Sequence, residues 1–200
     1  MARNLSDAEL VGRFKEGDRD AYAEIVRRYQ DRVFSLCVRM MGDREVAEEV
    51  AQDVFVALFR SLESFRGDAQ LSTWIYRVAI NHCKNRRLYR RRRKMERHEA
   101  LEGEPRDAED GPTRQIADEG PGADASLHAR EASDVLRQAL EQLDEEQRNI
   151  IVLRDVQDLA YEEIADILGL ARGTVKSRLH RARASLAKVL ARRISREDVI

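Results

Sequence analysis

The chain has 200 residues, 42% of them hydrophobic and 36% charged, with a formal net charge of -1. That composition describes a helix-rich globular protein of one domain or two small ones, and excludes collagen-like and low-complexity chains. The opening MARNLSDAEL lacks the apolar core of a signal peptide, and no run approaches the ~18 apolar residues of a membrane span. A cytoplasmic chain without membrane insertion is expected.

In chain order, Ser6 and Glu9 have capping-box spacing, and Leu10, Val11 and Phe14 follow on a short amphipathic helix that Gly17 can end. Tyr22, Ile25, Val26, Tyr29, Val33, Leu36, Cys37 and Met40 repeat at three and four residues on a second helix. Gly42 and Asp43 then read as one helix ending and the next being capped. The third helix sets Val46, Val50, Val54, Phe55, Leu58, Phe59 and Leu62 on one side and Glu45, Glu48, Glu49, Gln52 and Asp53 on the other. After a polar loop containing Gly67, a helix resumes at Thr73 and runs into KNRRLYRRRRK, so that residues 84–97 hold nine Lys or Arg and one acid. Cys37 and Cys83, the only cysteines, have no CxxC partner and read as small buried hydrophobes rather than a disulfide or zinc framework.

The composition inverts from Leu101 to Asp124, where eight acids meet two arginines without an apolar period, a net charge of -6. This segment is expected to be a flexible acidic linker. It acts either as a solubilising tether or as a shield for basic surfaces elsewhere in the chain. A second helical unit begins near Leu127 with Val135, Leu136, Leu140 and Leu143, followed by Ile150, Ile151, Leu153 and Val156. It closes with LAYEEIADILGLARGTVKSRLHRARASL, Leu159 to Leu186, which reads as a helix-turn-helix. Ile164, Ala165 and Leu168 define the first helix, Gly169 supplies the left-handed turn residue, and Val175 and Leu179 resume the period. From Arg172 to Ile194 there are eight Lys or Arg and no acid, an electrostatic footprint suited to nucleic acid. No strand-like alternation of useful length occurs.

Asp43 to Arg87, DREVAEEVAQDVFVALFRSLESFRGDAQLSTWIYRVAINHCKNRR, resembles regions 2.2 to 2.4 of bacterial sigma-70 family factors. Leu143 to Arg183, LDEEQRNIIVLRDVQDLAYEEIADILGLARGTVKSRLHRAR, resembles region 4. Order, spacing and linker position together resemble the extracytoplasmic-function (ECF) group, over almost everything except the linker. The resemblance implies an all-α fold of two small helical domains, a region 2-like bundle over residues 1–97 and a region 4-like helix-turn-helix domain over 127–195, joined by the linker at 98–126.

It implies no catalysis, cofactor or metal. Its partners would be core RNA polymerase, through the beta-prime clamp helices and the beta flap, promoter DNA, and an anti-sigma factor. Glu49, Gln52 and Asp53 would face the polymerase clamp, although the residues without the resemblance favour a solvent-facing stripe balancing Arg44 and Arg60. Asp68, Gln70, Ser72 and Thr73 in the loop, with Asn81, Lys84 and Asn85 on the helix, would capture an unstacked base of the -10 element. Arg86 and Arg87 would contact phosphate. Trp74 remains either a core residue or a stacking platform. On the recognition helix, Lys176, Ser177, His180 and Arg181 would read base edges of the -35 element, while Arg172, Gly173, Thr174, Arg178 and Arg183 would contact the backbone.

Two positions depart from the family pattern. Ala160 stands where a capping Ser or Thr is common, at a cost of ~1 kcal/mol unless Asp158 substitutes; Ala171 stands where Pro or Ser is frequent. Two other functions compete. An autonomous helix-turn-helix regulator would use residues 1–95 to dimerise. A nucleic-acid enzyme would need a phosphate loop, a metal carboxylate cluster or a nucleophile with its base, and no GxxxxGK[ST] or HExxH motif occurs.

Overall fold

The computed structural model describes residues 5–101 and 123–197, with side chains described for 5–96 and 132–192. The acidic segment, whether shield or tether, therefore lies almost wholly outside the described residues. Helix α1, Asp7–Lys15, starts in the expected capping box: Ser6 Oγ accepts from the Glu9 N–H, and Glu9 Oε2 accepts from the Ser6 N–H at 2.7 Å. Its apolar edge, Leu10, Val11 and Phe14, packs on α2, Arg19–Met41. Asp7 binds Arg28 at 2.5 Å and accepts the Tyr29 hydroxyl, so one carboxylate fixes the angle of α1 on α2.

Gly42 ends α2 at φ +75°, where a side chain is strained, and Asp43 caps α3, Arg44–Ser61, by accepting from the Val46 N–H. A 3₁₀ turn at Leu62–Ser64 and a loop lead to α4, Leu71–Leu101. Val33, Leu36, Val54, Ile75 and Ala79 are wholly buried where α2, α3 and α4 meet. Cys37 and Cys83 lie in this same core as free thiols with sulfurs 3.9 Å apart. The hydrogen bond to Cys37, reinforced by burial, holds the Cys83 thiol well above its ordinary range. Such a thiol is a poor nucleophile, which agrees with a packing role.

The second unit comprises α5, Ala123–Glu141; α6, Glu145–Ile151; a π turn at Val152–Val156; α7, Tyr161–Leu168; and α8, Arg172–Glu197. Asp144 caps α6 by accepting from the Gln147 N–H at 2.8 Å. Arg148 on α6 is 1% exposed. Its guanidinium donates to the carbonyls of Leu140 (2.7 Å), Glu141 (2.8 Å) and Leu143 (2.9 Å) at the end of α5, and to Met40 O of α2 at 3.4 Å. Carbonyls left over at helix ends thus solvate a buried charge.

The two units share one hydrophobic core. Polar contacts across it include Tyr76 Oη donating to Gln157 Oε1 (3.2 Å), Arg77 to Asp166 O (2.8 Å), Arg137 to Gly42 O (3.0 Å) and Arg39 to Ser133 Oγ (3.3 Å). The sequence pattern did not announce this packing. Among the described residues no helix is long and apolar enough to cross a membrane.

Arg148→Ala is expected to lower stability by about 3 kcal/mol, because the carbonyls of Glu141 and Leu143 lose the guanidinium, and those of Leu140 and Met40 lose one of their two donors, in a dry site. Urea unfolding followed by helical circular dichroism measures this. A loss below about 1 kcal/mol would mean that water reaches those carbonyls.

Candidate nucleic-acid and polymerase interfaces

Helix α8 turns Val175, Leu179 and Ala182 into the core, each no more than 2% exposed. That inward stripe forces Lys176, Ser177, His180 and Arg181 outward together, one turn apart in two pairs, and all four are exposed. The turn preceding α8 is set by Gly169 at φ +65°, whose N–H donates to Ala165 O, as the turn-glycine reading required. Gly173 is exposed and Thr174 half-buried in the first turn of α8, where backbone N–H groups and the helix dipole favour phosphate. Ser177 Oγ donates to Thr174 O at 3.1 Å, and Arg181 Nε reaches Ser177 O at 3.4 Å.

The three arginines flanking this face each meet an acid. Arg172 pairs with Glu162 at 2.7 Å, Arg178 with Glu146 at 2.6 Å, and Arg183 forms a two-point contact with Asp155. The Asp155 hydrogen bond raises the Arg183 pKa, leaving the guanidinium firmly charged.

At the other site, Asp68 and Gln70 stand exposed on a loop that turns at Gly67, φ +81°. Lys15 Nζ donates to Phe65 O at 2.6 Å and anchors the start of that loop. Ser72 is half-buried, its hydroxyl 3.5 Å from Gln70 Oε1, whereas Thr73 is 2% exposed and turned inward in this conformation. Trp74 is half-buried against Phe65, ring centroids 5.0 Å apart, so the indole packs on the core while keeping one edge open.

Asn81 and Asn85 are both exposed, one turn apart on α4. Lys84 lies 4.0 Å from Glu145, and Arg87 donates to Met40 O at 3.2 Å. Burial lowers the Arg87 pKa from its ordinary value. His82, Asn85, Arg86 and Tyr89 of α4 face Val50 and Asp53 of α3 across an open cleft of about 280 Å³. Sequence reasoning did not place His82 and Tyr89 at this cleft; the spacing of three and four residues from His82 through Asn85 and Arg86 to Tyr89 was the available signal.

Glu49, Gln52 and Asp53 are exposed on α3, opposite buried Val50, Ala51 and Val54. Arg86 of α4 pairs with Glu49 at 2.9 Å and lies 3.6 Å from Asp53. In the alternative, solvent-facing reading the balancing partners were Arg44 and Arg60, but Arg44 lies over the Phe34 ring at 5.1 Å. The arginine facing these acids comes from the neighbouring helix.

Ala160 offers no side-chain cap to α7, and of the reciprocal pair only the half from the Ala160 N–H to Glu163 Oε2, 2.8 Å, can form. Asp158 does not substitute. It occupies a left-handed turn at φ +52° and its carboxylate takes Arg154 at 3.2 Å.

A sigma-70 region 2 family model matches residues 25–94 and a sigma-70 region 4 model residues 133–186. The RNA polymerase sigma-H factor of Pseudomonas aeruginosa is 36% identical over 198 residues, 95% of this chain and 96% of the relative. The ECF RNA polymerase sigma factor SigW of Bacillus subtilis is 35% identical over 182 residues, 90% of this chain and 94% of the relative. Among solved structures, CnrH in complex with the cytosolic domain of CnrY matches with a TM-score of 0.63 at 26% identity, over 92% of this chain and 97% of that one.

The chain therefore belongs to the sigma-70 family of RNA polymerase sigma factors. Its relatives place it in the ECF group, and it is an initiation factor that joins core RNA polymerase and directs promoter-specific transcription.

Ala160→Ser is expected to add the missing cap and stabilise the protein by about 1 kcal/mol. Thermal unfolding of the variant beside the parent reads this directly, and an unchanged or lower midpoint would show that the first turn of α7 is already satisfied.

Proposed function

We propose that the two helical units divide promoter recognition, residues 1–97 binding polymerase and opening the -10 element and residues 127–195 reading the -35 element. The exposed base-reading quartet of α8, Lys176, Ser177, His180 and Arg181, carries this reading: four donors or acceptors share one face, set by three buried apolar anchors. Arg172, Gly173, Thr174, Arg178 and Arg183 sit around them as phosphate contacts, which fix register without specifying sequence.

In the first unit, Asp68, Gln70 and Ser72 line the loop, while Thr73 needs a local rearrangement to reach a flipped base. Asn81, Lys84 and Asn85 continue the track along α4, with Arg86 and Arg87 on the strand backbone. Glu49, Gln52 and Asp53 of α3 meet the beta-prime clamp helices, and the second unit meets the beta flap. No catalytic step belongs to this chain, which works in the cytoplasm on an envelope-response or stress-type regulon. An anti-sigma partner is inferred from the similar protein CnrH, solved in complex with the cytosolic domain of CnrY.

Gel filtration of the chain with sigma-free core polymerase tests the assignment. A stoichiometric complex is expected, and the double variant Gln52→Lys/Asp53→Lys is expected to weaken it at least tenfold. Absence of a complex, together with a free chain that binds duplex DNA as a dimer, would favour an autonomous regulator instead.

For the second unit, Lys176→Ala and Arg181→Ala are each expected to cost about 1–3 kcal/mol of discrimination between the -35 sequence and a scrambled duplex. Arg183→Gln is expected to reduce the salt slope by about one unit while leaving sequence preference intact. Fluorescence anisotropy over a salt series separates the two outcomes, and equal losses on both duplexes for the first pair would remove Lys176 and Arg181 from the base-reading set.

A further inference from the structure

The loop that carries Asp68 and Gln70 has little of its own to hold it in place. Gly67 turns the chain at φ +81°, and within the described structure no N–H or carbonyl of residues 66–69 enters a backbone hydrogen bond. The loop is therefore positioned from its two ends. At the far end Gln70 O accepts from the Trp74 N–H at 3.1 Å. At the near end stands Phe65, whose ring packs on Trp74 with centroids 5.0 Å apart and whose carbonyl accepts from Lys15 Nζ at 2.6 Å.

Lys15 is the last residue of α1, and α1 is fixed independently of the loop. The Ser6–Glu9 capping box closes its first turn, Asp7 ties it to Arg28 and Tyr29, and Leu10 and Phe14 are buried. The Phe14 ring meets Tyr22 and Phe59 with centroids 5.6 and 5.5 Å away. A rigid base thus delivers the ammonium to a carbonyl 50 residues further along the chain. Through the Phe65–Trp74 ring contact, the same ammonium bears on both ends of the loop.

Lys15 is exposed, and water can serve the Phe65 carbonyl in its place, so this bond adds little to global stability. Its consequence is local. A loop without internal fastening moves when one end is released, and a recognition constellation has to be held within about 0.5 Å of its productive geometry.

We propose that Lys15 is a positioning residue for capture of the flipped -10 base: by fixing the Phe65 carbonyl it sets where Asp68, Gln70 and Ser72 stand, without itself touching the base. The proposal rests on the -10 reading of this loop given above. It adds to that site α1, a helix to which no DNA contact is assigned and which precedes residues 25–94, the span of the region 2 match.

Selection from a promoter library tests this. Holoenzyme made from the chain and core polymerase is offered duplexes randomised across both elements, and the heparin-resistant open complexes are sequenced. The unmodified chain is expected to enrich one base at the captured -10 position. Lys15→Met keeps an apolar stem and removes the ammonium, and is expected to cut that enrichment about fivefold or more. Enrichment within the -35 element and the thermal unfolding midpoint are expected to stay unchanged. Lys15→Arg, which restores a cationic donor, is expected to recover the -10 preference. Arg13→Met is the charge control, because Arg13 lies on the same helix but pairs with Asp18 at 2.8 Å, and it is expected to behave as the unmodified chain.

Full -10 enrichment by Lys15→Met would overturn the proposal. So would an equal loss of open complexes on every sequence with a salt slope smaller by about one unit, the signature of a direct phosphate contact. A joint fall of -10 and -35 enrichment with a lower unfolding midpoint would make Lys15 a general structural residue and overturn it too. If the unmodified chain enriches no -10 base, the two-element reading beneath the proposal fails, and the role of Lys15 with it.

Discussion

The buried guanidinium of Arg148 is the constraint around which the second unit is organised. A charge that is 1% exposed must find compensation, and it finds it in carbonyls that the ends of α5 and α2 cannot satisfy by themselves. The same contacts fix where α5 ends, how α6 crosses it and where the pair meets the first unit. Helix α6 in turn buries Ile150 and Ile151 in the core shared with α8, and the position of α8 decides which side chains can face a groove. The position of the proposed reading face therefore depends on a buried residue of another helix.

A second organising feature is the pairing of opposite charge between helices. Arg86 faces the acids of α3, Arg178 and Arg183 face acids of α6 and the π turn, and Arg172 faces α7. Most of these side chains are a third or more exposed, so each pair is worth roughly 0–1 kcal/mol and breaks readily. A phosphate, which also releases condensed counterions, can replace such an acid at little cost. These pairs are exchangeable because of their exposure.

Local pattern made much of this legible and long-range pattern did not. The Ser6–Glu9 box, the Gly42–Asp43 junction, the Gly169 turn and the inward stripe of α8 each follow from residues within one or two turns, where propensity and period are decisive. Arg148 was invisible because a basic residue in a surface-like helix carries no sign of the carbonyls waiting for it eight residues and 108 residues away. Arg86 was read as a phosphate contact, and its neighbours Glu49 and Asp53 as a separate face; only the α3–α4 crossing brings them together. Thr73 is buried and Asp158 does not cap α7 for a related reason, since a polar residue in a loop or at a helix start has several partners open to it and the backbone conformation chooses among them.

Why a chain with two reading surfaces should pack them against one core follows from size. Each helical unit is short, and a domain of well under a hundred residues buries too little apolar surface to be more than marginally stable. Sharing a core across α2, α4 and α7 raises the apolar area buried for both. Yet the seam is laced with hydrogen bonds to carbonyls from exposed Arg77 and half-buried Arg137, groups that water can serve almost as well once exposed. The packing therefore joins the two units through an apolar core and edges it with polar contacts between them.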